Sequence, residues 1–211
     1  MAGDRGLTSR LQRTLGAGAL ALALVAITPA HARAHSGVDM GDFYAGLTQA
    51  VFHWELLLLA LAAGLWASQA DDPDNVRIPV AFLVATAVGA AAGLWGPTQV
   101  PSFWPVRIEA LVLGLLVAIR LRLSKVAIVV AALGGVTYGW VAAAGEAPDV
   151  GKPIPYALGL VAGVFVLFGW VLAFTDRFRA FWVDVAVRVV GSWIATISLL
   201  VSALDFVKPP S

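Results

Sequence analysis

From residue 43 onward the chain alternates long apolar runs with short breaks rich in proline, glycine, aspartate or basic residues. The runs fall at about 43–69, 78–95, 106–121, 125–144, 155–174 and 181–204. Each is near the roughly 20 residues that a helix needs to cross the hydrocarbon of a bilayer, the third being short. The separators ADDPDNVR, GPTQVPSFWP, RLRLSK, EAPDVGKPIP and TDRFRA read as loops. The pattern therefore predicts an all-α fold, a polytopic membrane bundle of six transmembrane helices. Trp66, Trp95, Trp104 and Trp182 fall at or near span ends, where indole rings anchor helices to the membrane interface.

Residues 1–34 follow a different pattern. Arg5, Arg10 and Arg13 precede an apolar stretch from Leu15 to Ile27, and Ala32-Arg33-Ala34 forms a small-x-small cleavage site. This predicts a signal peptide over 1–34 and a transmembrane domain over 35–211, with His35 as the first mature residue. Ala30-His31-Ala32 is an equally formed site just upstream, and an uncleaved anchor is the third outcome. A terminal His35 could chelate a divalent metal through its free amine and ring nitrogen; otherwise it is an ordinary residue beside a cleavage site.

Composition agrees with the periodicity: 60% of residues are hydrophobic, 13% are charged and the mean hydropathy is +0.85, too apolar for a soluble chain of this length. The lipid bilayer is the expected partner, and no basic patch suggests nucleic acid. With no cysteine, disulfides and thiolate metal sites are excluded. An outside N-terminus places Arg77, Arg120, Arg122, Lys125, Arg177 and Arg179 inside, and Lys152 and Lys208 outside, with Arg107 near a span end. This bias favours a multi-pass protein of the bacterial inner membrane with both termini outside.

Three pairs of glycines at i, i+4 spacing, Gly89 and Gly93, Gly135 and Gly139, Gly159 and Gly163, mark faces where helix backbones can approach closely, inside one bundle or at a dimer seam. The ionisable residues within the spans require a different explanation, because a charge at the bilayer centre costs about 2.5–3.5 kcal/mol on insertion scales. Asp184 and Arg188, four apart, predict a structural ion pair. Glu109 needs a partner from another helix or a proton. Gln49 and His53 share a helical face, and Glu55 lies well round the helix from it. His53 is a ligand or proton carrier if its face lines the bundle interior, or else a ring bonded to a nearby carbonyl or hydroxyl. The spans hold one histidine, too few for a bis-histidine haem. No serine-histidine-acid set, phosphate loop or dense carboxylate-histidine cluster is present, so no enzyme is expected.

The order and spacing of several segments resemble the HupE/UreJ family of membrane proteins associated with hydrogenase and urease systems. They are Ala34-His35-Ser36-Gly37, Phe43-Tyr44-Ala45-Gly46-Leu47, ELLLLALAAGLW at 55–66, Gly114-Leu115-Leu116-Val117-Ala118, and Arg188 with Gly191. The resemblance implies a nickel or cobalt permease, with the metal as cargo and no tightly bound cofactor. The chain departs from the family where metal chemistry is expected. The first-span pattern of His, then Asp-His after five residues, falls on Gln49, Glu55 and Leu56, and the histidine-rich stretch of the fourth span falls on VTYGWVAAAGE at 136–146.

The expected function is movement of a divalent transition metal, nickel or cobalt, past the candidate metal residues His35, Gln49, His53, Glu55 and Glu109. The alternative is a non-transporting assembly or metal-handling protein that acts with a membrane or periplasmic partner. Mass spectrometry of the processed chain should find His35 in first place; any other first residue removes the terminal chelate.

Overall fold

A computed structural model describes residues 41–71, 73–96, 102–121, 126–146, 150–178 and 181–207; the expected signal peptide and His35 lie outside them. The described residues form seven helices: α1 Gly41–Phe52, α2 Trp54–Ser68, α3 Asp74–Trp95, α4 Trp104–Ile119, α5 Ala127–Ala144, α6 Pro153–Arg177 and α7 Phe181–Val207.

Four of these, α3, α5, α6 and the Phe181–Asp205 part of α7, are long and apolar enough to cross a membrane alone. The expected first span departs from a single rod. It is broken at His53 into α1 and α2, which meet at a bend of 72°, and counts as a fifth crossing if the pair is one span. The expected third span is the 16-residue α4, about 24 Å long at 1.5 Å per residue against a hydrocarbon core of about 30 Å.

Glycine sets the pairing of the helices. A Cβ on Gly89 would strike the carbonyl oxygen of Val136, and one on Gly139 that of Thr86, so α3 and α5 touch backbone to backbone from both sides. On the α1·α6 face, Gly46 meets the carbonyl of Tyr156, Gly159 that of Phe43, and Gly163 that of Leu47. The α4·α7 contact is similar, with the would-be Cβ of Gly114 2.8 Å from the carbonyl oxygen of Gly191. Matching residues rise together in α1·α6 and α3·α5, which are parallel. Small residues suit such seams because between apolar helices in lipid the gain is in close packing.

The three pairs leave α2 at the centre, where it touches α3, α4, α5, α6 and α7. Its sequence, WELLLLALAAGLWAS, is apolar on every side, the pattern of a helix buried all round. Leu56, Leu59, Ala60, Ala62, Ala63 and Ala67 are all buried. Beside it Phe82, Tyr138 and Phe168 stack edge to face. Large apolar side chains such as Val84, Leu133, Leu158 and Trp193 point outward, so the bundle is apolar inside and out and faces lipid. Trp66 differs from the expected interfacial anchor: it is buried, and its indole N–H donates to the carbonyl of Leu121.

The break at His53 contains neither proline nor glycine. His53 is extended, with φ −84 and ψ 100. Its N–H reaches the carbonyl of Gln49 at 3.3 Å and its own carbonyl accepts from Leu57 at 2.9 Å, so it ends one helix and opens the next. The freed carbonyl of Ala50 takes the hydroxyl of buried Tyr138 at 3.4 Å. The bend lets α1 lie along α6 while α2 stays central. Asp42, in the first turn of α1, accepts the backbone N–H groups of Gly151 and Lys152 at the start of α6, where a carboxylate favours the helix dipole.

Gly139→Val should cost about 1–3 kcal/mol through forced separation of α3 and α5, read as a lower unfolding midpoint in detergent. Gly145→Ala, whose new methyl would meet the Val141 carbonyl oxygen at an ordinary 3.7 Å, should leave the midpoint unchanged.

Candidate functional site

The first turn of α4 brings the buried charges together. Phe103 precedes the helix and Pro105 stands in its opening turn, where a missing N–H is tolerated. One turn later Arg107 sends Nε and Nη2 to Oε1 of Glu55, each at 2.7 Å, and Nη1 to Oδ2 of Asp205. The cluster joins the start of α2, the start of α4 and the end of α7. Glu55 is 5% exposed, Arg107 14% and Asp205 31%. Glu55 is also in the first turn of α2, where the helix dipole favours an anion.

His53 lies at the same end. Its ring stacks on Phe103 with centroids 4.8 Å apart and planes 11° from parallel. Its Nδ1 is buried and has no hydrogen-bond partner among the described residues. Gln49, one turn earlier on α1, is half-buried and gives its backbone carbonyl to His53.

Glu109 faces α5. Its Oε1 accepts the hydroxyl of Thr137 at 2.9 Å, and its Oε2 is buried without a partner among the described residues. Gly134 and the ring of Phe82 stand beside it: a Cβ on that glycine would be 3.9 Å from Oε2 and 3.3 Å from the ring.

The opposite end of α4 stops in a Schellman turn, with Leu121 N–H on the carbonyl of Leu116 and Arg120 N–H on that of Val117. Arg120 takes the left-handed conformation, φ 55, usually left to glycine. Donors from neighbouring helices meet the helix-end carbonyls: Gln69 Nε2 on Val117 at 3.1 Å, Arg188 Nε on Ala118 at 2.9 Å and Trp66 on Leu121 at 3.0 Å. The expected pairing of Asp184 with Arg188 gives way to this arrangement. Asp184 instead pairs with Nη1 of Arg120 at 3.0 Å. An α-helix leaves its last four carbonyls unbonded, and a guanidinium beside them gains more than one turned along its own helix.

Of the expected metal residues, the structure sets Gln49, His53 and Glu55 around the break and Glu109 on the α4·α5 face; His35 lies outside the described residues. They do not converge: among the described residues no group of three histidines, aspartates or glutamates could hold an ion. Glu55 carries a guanidinium, and the buried atoms of these residues without a hydrogen-bond partner among the described residues are Nδ1 of His53 and Oε2 of Glu109. Sequence reasoning passed over Arg107, Asp205, Phe103 and Thr137. The available signal was charge: Glu55 has no basic residue on its own helix, and Glu109, the acid on the helix of Arg107, is two residues away and faces α5.

Glu55→Gln should lower stability by about 3–5 kcal/mol, because it leaves a buried guanidinium short of an anion. Combining it with Arg107→Gln should cost less than the sum of the single losses. The Arg120 and Asp184 side chains are 46% and 57% exposed, so Arg120→Gln should cost at most about 1 kcal/mol. Chemical denaturation in detergent measures all four variants.

A model of the family described as HupE / UreJ protein matches residues 20–201. Protein HupE of Rhizobium leguminosarum bv. viciae is 28% identical over 160 residues, which cover 75% of this chain and 79% of that one. No solved structure matches. The chain belongs to the HupE/UreJ family.

Proposed function

We propose that the chain is an inner-membrane permease for a divalent transition metal, nickel or cobalt, and that the ion passes the break between α1 and α2. The observation that carries this reading is that break, with an imidazole in it whose Nδ1 is buried and has no hydrogen-bond partner among the described residues. Irregular backbone at membrane depth is tolerated where it is buried in protein or lines a cavity, and broken helices form substrate sites in many transporters. Imidazole nitrogen suits nickel and cobalt, and the carboxylate of Glu109 is the second group available to a passing cation. Association with hydrogenase or urease systems, which the family resemblance implies, favours nickel.

Six crossings with both termini on one side fit the helix directions, and the Lys and Arg bias of the loops favours the outside for both. Parallel α1·α6 and α3·α5 pairs and an antiparallel α4·α7 pair, the last joined at Arg107–Asp205 and Arg120–Asp184, are what alternate crossings require. In this reading α1 and α2 together make the first crossing, and α4 is a short third one. The signal peptide would deliver the N-terminus to the outer side.

A non-transporting membrane partner is the second reading. The neutralisation of Glu55 by Arg107 favours it, because a carboxylate held by a guanidinium is unavailable to a metal.

Metal accumulation separates the two. Cells expressing the chain should accumulate more nickel or cobalt than vector controls, and a His53→Ala, Glu109→Gln double variant at equal membrane abundance should fall to the control level. Wild-type uptake no higher than the control leaves the partner reading. Glu55→Ala is unsuitable here because it strands Arg107, and a fold defect would mimic lost transport.

A further inference from the structure

We propose that the first turn of α4 is a gate over His53, latched shut by the grip of Arg107 on Glu55 and Asp205. The proposal rests on the permease reading for its biological use, and on geometry for its existence. Phe103 covers one face of the His53 ring, stacked at 4.8 Å. Arg107, one turn on, ties the same end of α4 to Glu55, two residues beyond His53, and to Asp205 on α7. Any movement of this turn away from α2 therefore unstacks Phe103 and breaks the hold on Glu55 in one step.

The two ends of α4 are held differently. At the Arg120 end, Trp66, Gln69 and Arg188 are bonded to backbone carbonyls of α4 and of the turn after it, and near mid-helix Gly114 lies against the backbone of Gly191. These contacts fix that half of the helix to α2 and α7. At the Arg107 end the polar tethers named above are side chain to side chain, and Val106 and Phe103 add apolar packing against the core; both kinds of contact part without disturbing backbone hydrogen bonds. The fixed half is the hinge side and the first turn is the moving side.

The latch also has an order of release. Asp205 is 31% exposed and Glu55 is 5% exposed, so solvent reaches the Asp205 arm first. Water or a cation competing there loosens Arg107 while Glu55 still holds it. The Glu55 arm then gives way as the turn lifts. Asp205 is thus the release arm and Glu55 the seat.

The chain contains no cysteine, so H53C reports from a single thiol. A membrane-impermeant maleimide should label H53C slowly in the full-length membrane protein, and D205N should raise that rate. R107Q should raise it further, by about tenfold or more over H53C alone, the scale of losing a charge-assisted hydrogen bond. R120Q, at the hinge side, should leave it unchanged. A second measurement keeps His53 in place: hydrogen exchange over residues 103–110 should speed up in D205N relative to the unsubstituted chain at equal membrane abundance. Unchanged labelling and exchange in D205N, or an equal rise in R120Q, overturns the gate. Both readouts need no metal. A responsive gate in a chain that accumulates no nickel therefore removes the permease reading alone, and an unresponsive one in a transporting chain removes the gate alone.

Discussion

Backbone-to-backbone contact at glycine is the constraint from which the rest of the molecule follows. Where α1 meets α6, α3 meets α5 and α4 meets α7, would-be Cβ atoms run into main-chain atoms of the partner. Three pairs packed this closely leave room for one further helix among them, and α2, apolar on all sides, occupies it. The broken first span is a consequence. A straight continuation of α2 would carry residues 41–52 away from α6, whereas the bend at His53 lays Gly46 against Tyr156 and Leu47 against Gly163.

Placing α2 at the centre creates an electrostatic requirement. Its second residue is Glu55, and an ionised carboxylate inside an apolar bundle must be paired or protonated. Arg107 supplies the charge from α4, and Asp205 holds the remaining arm of the guanidinium. Arginine suits the task because its planar fork can meet two carboxylates at once, which a lysine ammonium does less well. The other end of α4 solves a different problem, the satisfaction of terminal carbonyls, with Trp66, Gln69 and Arg188 as donors. One short helix thus carries one end held by a buried guanidinium between two carboxylates and one end held by hydrogen bonds to its backbone carbonyls, the asymmetry on which the proposed gate rests.

Much of the fold was legible as apolar runs, because length and hydropathy determine which segments bury in a membrane. The glycine spacings 89/93, 135/139 and 159/163 likewise mark positions that meet a neighbouring backbone. The break at His53 was not legible. FHWEL contains no residue that stops a helix, so its cause lies in the tertiary pull of α1 toward α6 and in the hydroxyl of Tyr138, 88 residues away, on the carbonyl of Ala50. The exchange of partners at Asp184 and Arg188 was equally hidden. Spacing of four on one helix signals contact, yet the open carbonyls of α4 compete for the arginine and Arg120 for the aspartate. At the site, the need of Glu109 for a partner was legible but the identity of Thr137 was not, since it depends on which face of α5 meets α4.

The departures from the family pattern have a physical reading in this architecture. The stretch 136–146, where the resemblance leads one to expect histidines, is used for packing: the backbone carbonyls of Val136 and Trp140 lie where a Cβ on Gly89 and on Gly93 would be, Tyr138 is wholly buried, and Ala142 receives the hydroxyl of Tyr156. Imidazoles there would have to replace core atoms. The proposed path is consequently poor in nitrogen ligands among the described residues, with His53 at the break and a carboxylate at Glu109. For a permeating ion that is not a defect in itself, because conduction requires binding favourable enough to enter and weak enough to leave. On the proposed permease reading, few imidazoles would shift the balance toward release, and discrimination among first-row ions would then come from the shape and closure of the passage proposed around His53, which would place the weight of selectivity on α4.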